Sequence, residues 1–327
     1  FYCSYVYYFG EITVDQKNQE RIYITGVPLL FSDNGGKTFQ SIDGDNVHSD
    51  HHVVWINPNN PNHLVNGNDG GLNITYDNGK SWQLCNSIPV GQFYAVNVDE
   101  QEPYNIYGGL QDNGVWVGAS NYSASIGWQQ EGKYPYARLM GGDGMQIQID
   151  KRNPNIVFTG YQYGSYYRIN RADESKSKFI APKAKKGDKP YRYNWQSPIL
   201  LSSHNQDILY LGSNFLHRSM NQGDTWTAIS PDLTQGGKQG NVAFGTLTTI
   251  SESPFEFGVL YTGSDDGLVQ FSNNGGANWK VISTTLPQNL WVSRVVASAH
   301  KKERVYVTLN GYRNDDFTSY VYVSEDA

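Results

Sequence analysis

The sequence predicts an all-β fold, a seven-bladed β-propeller in which each blade is an antiparallel sheet of four strands, named A to D in chain order. Two independent repeats predict it. An eight-residue pattern, Ser/Thr-x-Asp/Asn-x-Gly-x-x-Trp/Phe, recurs along the chain. Pairs of short alternating strands joined by polar turns also recur, which is typical of this architecture. No stretch shows a sustained helical period with caps, so an α/β fold is not expected.

The eight-residue pattern predicts a tight hairpin between strands C and D. Asp or Asn bonds its own backbone, and Gly supplies the positive φ of the turn. The aromatic residue begins strand D, where its ring can pack between neighbouring blades. Asp77 and Asn221 are therefore predicted to be structural rather than catalytic. The copies begin at Ser32, Thr75, Ser219 and Ser272, with a last copy cut short at Ser324.

The second repeat gives the number of blades. Each copy has a strand A, a polar turn that often contains Asn-Pro, and a strand B that usually ends in Gly. Periods of this size indicate propellers or solenoids. Strands B end at Gly26, Gly67, Gly109, Gly160, Gly212, Gly263 and Thr308. We predict one domain, with blades at about 10–47, 48–90, 91–136, 137–195, 196–241, 242–290 and 291–327.

The two ends of the chain bear on how the propeller closes. Segment 1–9 is β-prone and could serve as the missing outer strand of the last blade. The alternative is a fragment of a longer polypeptide with further domains, because the last hairpin stops mid-turn. Cys3 and Cys85 give no disulfide framework, and two buried free thiols are expected.

The amino-acid composition limits the classes of molecule that can be partners of this protein. The chain has 327 residues, 17% of them charged, and a net charge of −6. Nucleic acid is not expected as a partner, since phosphate contacts need clustered Lys and Arg. The one basic run, Lys176 to Lys189, is interpreted as a solvated insertion in the fourth blade. No apolar stretch is long enough to span a bilayer, and we expect a secreted or cell-surface protein.

Candidate site residues gather at one end of the blades, where the B–C turns and the D–A connections lie; we call it the B–C face. Its polar candidates come from blades 2, 3, 4 and 6: His48, Asp50, His51, His52, Asp69, Gln111, Asp112, Tyr136, Arg138, Asp143, Asp265 and Asp266. Its aromatic candidates are Tyr94, Trp116, Tyr134, Tyr136, Tyr161, Tyr163 and Trp195. Each also has a structural interpretation, as a type I′ turn former or as packing between blades.

The cluster His48, Asp50, His51 and His52 carries atoms that ligate metals. Adjacent residues of a strand point to opposite faces, so only some of these side chains can converge. We therefore expect a hydrogen-bonded network that anchors the connection, with a metal ion as the alternative. No other cofactor is predicted.

The hairpin pattern resembles the Asp-box, the bacterial-neuraminidase-type (BNR) repeat of β-propellers. With the blade spacing, nearly the whole chain resembles the sortilin-type superfamily. Secreted bacterial propeller proteins often labelled glycosyl hydrolases are the most similar, and xyloglucanase-type hydrolases are more distant. The motifs concerned are His48-x-Asp50-His51-His52, Asn68-Asp69-Gly70-Gly71, Gln111-Asp112-Asn113-Gly114 and Gly141-Gly142-Asp143-Gly144.

The resemblance implies a catalytic role for Asp69. In xyloglucanase-type hydrolases the catalytic Asp stands in a Thr-Asp-x-Gly-Gly context, and Asn68-Asp69-Gly70-Gly71 is one residue short of it. An inverting glycosidase needs a second carboxyl group roughly 6.5 to 9.5 Å away, for which Asp112 and Asp143 are the candidates. That family draws one carboxylate from each of two propellers, whereas this chain shows one.

Four functions follow from these observations. The favoured one is an extracellular module that binds a glycan or an extended peptide on the B–C face. The second is a glycoside hydrolase with Asp69, Asp112 and Asp143 as acid and base. The third is a polysaccharide lyase in which His51, Tyr136 and Arg138 act as base, acid and charge neutraliser. The fourth is a structural domain of a surface protein.

Overall fold

The computed structural model describes residues 8–85, 90–123, 125–127, 135–238, 240 and 242–326. Cys3, Tyr134 and most of the segment expected to close the propeller lie outside these ranges. The chain divides into two compact units, Phe1–Gly91 and Gln92–Ala327. Within the described ranges, no helix is long and apolar enough to cross a membrane.

The first unit contains blades 1 and 2, whose strands are hydrogen-bonded in chain order. Blade 1 comprises β1 (Ile12–Val14), β2 (Ile22–Ile24), β3 (Leu30–Ser32) and β4 (Gln40–Ser41). Blade 2 comprises β5 (His51–Ile56), β6 (Leu64–Asn68), β7 (Gly71–Thr75) and β8 (Gln83–Cys85). Buried Tyr23 and Phe31 of blade 1 pack with Val54 of blade 2, so the core lies between the sheets. Cys85 is a half-buried free cysteine.

The second unit contains blades 3 to 7. Blade 3 comprises β9 (Phe93–Val98), β10 (Asn105–Leu110), β11 (Gly114–Ala119) and β12 (Tyr136–Met140). Blade 4 comprises β13 (Gln148–Ile149), β14 (Ile156–Tyr161), β15 (Ser165–Asn170) and β16 (Lys178–Phe179), with a 3₁₀ turn at Glu174–Lys176. Blade 5 comprises β17 (Ile199–Leu201), β18 (Leu209–Gly212), β19 (Leu216–Ser219) and β20 (Thr227–Ala228).

The last two blades follow the same order. Blade 6 comprises β21 (Leu247–Glu252), β22 (Leu260–Ser264), β23 (Val269–Ser272) and β24 (Lys280–Val281). Blade 7 comprises β25 (Trp291–Ala297), β26 (Val305–Gly311) and β27 (Asp316–Ser324), with a 3₁₀ turn at Tyr312–Asn314. In the described part of the chain this makes seven antiparallel sheets, six with four strands and one with three. The predicted fold class, an all-β seven-bladed propeller, is confirmed.

Blade 3 extends beyond the boundary predicted at residue 136. Its outer strand β12 pairs with β11, with Gly118 opposite Tyr136. A Cβ atom on Gly118 would come within 2.5 Å of the Tyr136 ring, so glycine makes room for this ring. The eight-residue pattern is missing from the connection between β11 and β12, so the sequence gives no local signal of where this outer strand lies.

The A–B turn is the same in all seven blades. In each blade, the residue at which the turn begins donates its backbone N–H to the backbone carbonyl six residues later, at 2.9 to 3.3 Å. Its side chain accepts the N–H two residues later, at 2.8 to 3.3 Å. Only a short side chain with an acceptor oxygen can make this local bond. The seven residues are Asp15, Asn57, Asp99, Asp150, Ser202, Ser253 and Ser298.

The C–D hairpins of the eight-residue pattern are closed by side chains. In the second copy, the Gly79 N–H donates to Thr75 Oγ1 at 2.9 Å and the Ser81 N–H donates to Asp77 Oδ1 at 2.9 Å. Hydrogen bonds from Ser81, then from Thr75, lower the pKa of Asp77 to about 2. The same two bonds recur in the hairpins that begin at Ser32, Ser219 and Ser272. Asp77 and Asn221 thus serve the turn.

The tryptophan of the hairpin joins one blade to the preceding blade. Trp82 Nε1 donates to the carbonyl of Ile42 at 2.7 Å, and Trp279 Nε1 donates to the carbonyl of Ile229 at 3.1 Å. Trp226 makes the equivalent contact with the carbonyl of Ile180. A Cβ atom on Gly79 would lie 2.8 Å from the same Ile42 oxygen. The motif therefore places a glycine and an indole on one carbonyl of the neighbouring sheet.

We predict that Trp82→Phe lowers the free energy of unfolding by about 1–3 kcal/mol, because the buried Ile42 carbonyl loses its donor. Trp55→Phe in the same blade is the matched control, since Trp55 is 49% exposed, and should change stability by less than about 0.5 kcal/mol. Denaturant unfolding followed by far-UV circular dichroism measures both. Equal effects of the two substitutions would contradict the role of the indole.

Candidate functional site

In the first unit, two adjacent histidines of β5 point to opposite sides. His51 is fully buried and its Nδ1 lies 2.9 Å from Asn66 Oδ1. His52 is half-buried and its Nε2 lies 2.6 Å from Asp69 Oδ1. This alternation is the ordinary geometry of a strand. His51, the base of the lyase hypothesis, is thus inside the protein, whereas His52 is partly accessible.

Asp69 lies in the B–C turn of blade 2, as predicted, and its carboxylate faces an imidazole. The His52 ring is also packed against two aromatic rings, with centroid distances of 5.2 Å to Tyr8 and 4.8 Å to Phe9. In the same turn, the Asn68 Oδ1 accepts the Gly70 N–H at 3.0 Å. A carboxylate and an imidazole in contact can exchange a proton, which is the chemistry that an acid–base site needs.

His48 and Asp50 both make hydrogen bonds with Ser49, which lies between them. His48 Nδ1 donates to the carbonyl of Ser49 at 2.7 Å, and the Asp50 carboxylate accepts the Ser49 hydroxyl at 3.1 Å. Among the residues that the structure describes, no group of three or more His, Cys, Asp or Glu side chains is arranged to hold a metal ion. The hydrogen bonds described for His48 and Asp50 therefore lie within the connection.

In the second unit, Asp143 ties two blades together. Asp143 is 7% exposed, and its Oδ1 accepts the Asp112 N–H at 2.8 Å. Its Oδ2 accepts the side-chain amide of Gln162. Both oxygens therefore have donors, which suits an anchor better than a proton donor. The connection Gly141–Gly144 is held against the B–C turn of blade 3 by this residue.

Glycines make that connection possible. The Gly114 N–H donates to the Gly142 carbonyl at 2.8 Å, and the Gly144 N–H donates to the Leu110 carbonyl at 2.9 Å. A Cβ atom on Gly144 would come within 2.3 Å of the Gly114 oxygen. Asp112, between these contacts, has a φ of 62°, as the turn interpretation of Asp112 requires.

Three aromatic residues from blades 3, 4 and 5 meet beside these carboxylates. Trp195 Nε1 donates to the Tyr94 hydroxyl at 3.1 Å, and the Trp195 ring lies edge-on to Tyr163 at 5.4 Å. Trp195 is 40% and Tyr163 44% exposed. Burial, with smaller contributions from Asp143 and Asp112, raises the pKa of Tyr94 despite the bond from Trp195. We call Tyr94, Tyr163 and Trp195 the aromatic cluster.

Tyr163 has an unusual backbone. Its φ is 56°, in the left-handed region that few residues other than Gly, Asn and Asp adopt. The Tyr163 N–H donates to the Trp195 carbonyl at 3.2 Å, so blades 4 and 5 hold this conformation between them. An exposed aromatic side chain kept at a strained turn is the kind of feature that concentrates at binding sites.

The other candidates of blade 3 are separated from the aromatic cluster. Tyr136 and Arg138 lie on β12, at the opposite edge of the sheet from β9, which carries Tyr94. Gln111 donates its N–H to the Gln92 carbonyl at 2.9 Å, and its own carbonyl accepts the Asn113 side chain at 3.0 Å. His51, the base of the lyase hypothesis, is fully buried, which does not suit a group that must reach a substrate.

Asp265 and Asp266 anchor a loop in blade 6. Both are buried. The Asp265 carboxylate accepts the Gly245 and Thr246 N–H groups at 3.0 and 2.9 Å, and burial raises its pKa. Asp266 accepts the Gln235 N–H at 2.6 Å. Asp265 and Asp266 could contact a ligand, as predicted, only if their hydrogen bonds to the loop were broken.

Sequence reasoning missed Gln162 and His217. Gln162 stands two residues after the Gly that ends strand B, as do Asp69, Gln111 and Asp265 in their own blades; aligning these turns would have found it. His217 is buried on β19, with its Nε2 2.8 Å from the Ser213 hydroxyl. Burial lowers the pKa of His217 to about 4. Nothing in the sequence pattern distinguishes His217 from its neighbours.

Comparison with known proteins gave matches among solved structures. Searches of protein-family models and of curated proteins found no match. A GH74 enzyme from Niastella koreensis is 13% identical, with 97% of this chain and 55% of that chain covered and a TM-score of 0.31. YCF48 from Cyanidioschyzon merolae is 12% identical, with 91% of each chain covered and a TM-score of 0.43.

A third match is Raptor from Chaetomium thermophilum, which is 12% identical, with 97% of this chain and 28% of that chain covered and a TM-score of 0.45. The chain thus spans about half the length of the GH74 enzyme and a smaller part of Raptor. None of these similarities assigns a function to this chain.

We predict that His217 makes stability depend on pH between about 6.5 and 4. Its pKa of about 4 lies below the ordinary value of about 6.5. The unfolded chain therefore takes up a proton in this window while the native chain does not, and stability falls as pH falls. The full effect is about 3 kcal/mol.

Denaturant titrations at pH 7 and pH 4.5 measure this effect. His217→Gln, whose amide oxygen can still accept the Ser213 hydroxyl, should lose much less stability between the two pH values than the parent protein. An unchanged difference in this variant would assign the pH dependence to other groups.

Proposed function

We propose that the protein is an extracellular binding module that holds a glycan at the aromatic cluster on the B–C face of blades 3 to 5. The proposal includes a secreted or cell-surface location and the Asp-box type for the C–D hairpins. The observation that carries it is the contact among Tyr94, Tyr163 and Trp195, three rings from three successive blades. Two of these rings remain partly exposed.

The chemistry around the rings suits a sugar. Aromatic faces pack against the apolar C–H faces of pyranose rings, and their polar ends stay hydrated. The Asp112 carboxylate, which influences the pKa of Tyr94, supplies an acceptor for sugar hydroxyl groups. A net charge of −6 favours neutral glycans over polyanionic ones at this site. An extended peptide is the other ligand that such a surface can hold.

Binding by the aromatic cluster is tested with the single variants Tyr163→Ala and Trp195→Ala. Each should weaken binding of the best glycan at least tenfold, or about 1.4 kcal/mol, since rings central to a contact dominate its affinity. Isothermal titration calorimetry with glycans selected on an array measures this. Phe255→Ala is the control, because Phe255 is 48% exposed but follows Ser253 in the A–B turn of blade 6.

Equal losses in Phe255→Ala and in the two cluster variants would contradict the assignment of the site. Binding of extended peptides with no binding of any glycan would keep the cluster as the site but replace the ligand. Binding that survives in both cluster variants would move the site elsewhere in the protein.

A glycoside hydrolase is the second candidate, and the contact between His52 and Asp69 favours it. Asp143 is poorly suited as its second carboxyl group, because both Asp143 oxygens already accept hydrogen bonds. Under our proposal, the protein releases neither reducing sugars nor unsaturated products from plant, algal and animal polysaccharides. The matched variants Asp69→Asn and Asp112→Asn should be equally inactive.

Turnover in the parent protein would overturn the proposal of a pure binding module. Loss of that turnover by a factor of about 10² to 10⁴ in Asp69→Asn, with the thermal midpoint unchanged, would assign the acid or base to Asp69. The same loss in Asp112→Asn alone would place the chemistry in the second unit.

A further inference from the structure

The start of the segment after β16, residues 180–182, packs as a wall against the sheets, whereas its lysines Lys183, Lys185, Lys186 and Lys189 are exposed, as a solvated insertion predicts. Ile180 is 3% exposed. The Tyr193 hydroxyl donates to the Pro182 carbonyl at 2.8 Å, and a Cβ atom on Gly164 would come within 2.4 Å of the Tyr193 ring. Both ends of the segment are therefore fixed on the sheets, while Lys183 between them is exposed.

A cavity of about 380 Å³ lies between this wall and blade 5. Pro182 and Lys183 form one side, and Tyr191 and Trp226 contribute rings. His217 also lines the cavity. Small-molecule sites have volumes of roughly 300–1,000 Å³, so the space is large enough for one or two sugar rings.

Among the described residues, the charges at the cavity leave one cation without a paired carboxylate. The Asp224 carboxylate is neutralised by Arg168 at 3.0 Å and by Lys178. The Lys183 ammonium lies 5.1 Å above the Phe179 ring, and in the described ranges it contacts no carboxylate within ion-pair distance. Lys183 is thus positioned to receive an anion from solvent.

The remaining polar groups are neutral. His217 has a pKa of about 4 because it is buried, so its imidazole is uncharged near pH 7 and its Nε2 faces the Ser213 hydroxyl at 2.8 Å. The Tyr191 ring centroid is 4.5 Å from that of His217. Tyr191 therefore offers a ring surface, and the buried His217 beneath it adds no charge, beside one lysine without a paired carboxylate.

We propose that this cavity binds a ring-shaped ligand with one carboxylate, of the uronic-acid class of sugars. The carboxylate pairs with Lys183, and the sugar ring lies against Tyr191. The site is separate from the aromatic cluster, and its occupation does not depend on a ligand there.

Calorimetry with digalacturonate and with the uncharged disaccharide galactobiose tests the proposal. Digalacturonate should bind at least tenfold more tightly than galactobiose, and the difference should shrink as salt screens the exposed charge. Lys183→Gln should weaken digalacturonate binding about tenfold. Lys186→Gln is the matched control, because Lys186 is an exposed lysine of the same segment that does not line the cavity, and should change the affinity by less than about twofold.

Further variants separate this site from the aromatic cluster. Tyr191→Ala should weaken digalacturonate binding, whereas Trp195→Ala should leave it unchanged; the reverse pattern would mean that the sugar binds at the cluster. No binding of digalacturonate, equal affinity for both disaccharides, or equal losses in the two lysine variants would overturn the proposal. Thermal midpoints of all variants confirm that the fold is retained.

Discussion

The structure depends on one constraint: a four-stranded sheet cannot bury its own faces, so each blade needs its neighbours. The hydrophobic clusters accordingly lie between blades, as with Phe158 of blade 4 and Leu209 of blade 5. Apolar contact alone does not fix the angle between two sheets. The indole bond from Trp82, Trp226 or Trp279 to a carbonyl of the preceding blade adds a directional contact, which is buried at Trp82 and half-buried at Trp226 and Trp279.

Much of this architecture could be predicted from the sequence, because its turns are made by local interactions. The hairpin at Thr75 and the A–B turn at Asn57 use side chains that bond backbone atoms a few residues away, so their residue types recur. The extent of blade 3 could not be predicted. Its outer strand is placed by contact between Tyr136 and Gly118, which are far apart in sequence, and no local pattern records such a contact.

For the site, the sequence predicted which turns carry Asp69 and Asp112 but not what each oxygen and ring does there. Asp143 looked like an exposed acid in a glycine-rich turn, yet its oxygens are used by Asp112 and Gln162. His51 and His52 are equivalent by composition, and only the direction of the strand decides which one is accessible. Tyr163 and Trp195 were expected on this face, and their contact across two blades depends on tertiary packing.

Under the proposed function, the left-handed conformation of Tyr163 lowers stability at the residue that supplies a ring for binding. Holding a tyrosine there costs about 1–2 kcal/mol relative to glycine, and glycine would relieve that cost while removing the ring. A laboratory selection for heat resistance would therefore tend to replace Tyr163 by glycine, because such a selection acts on stability and not on ligand binding. Engineered versions of this protein should gain their stability at the hairpins between blades, where sequence changes leave the aromatic cluster untouched.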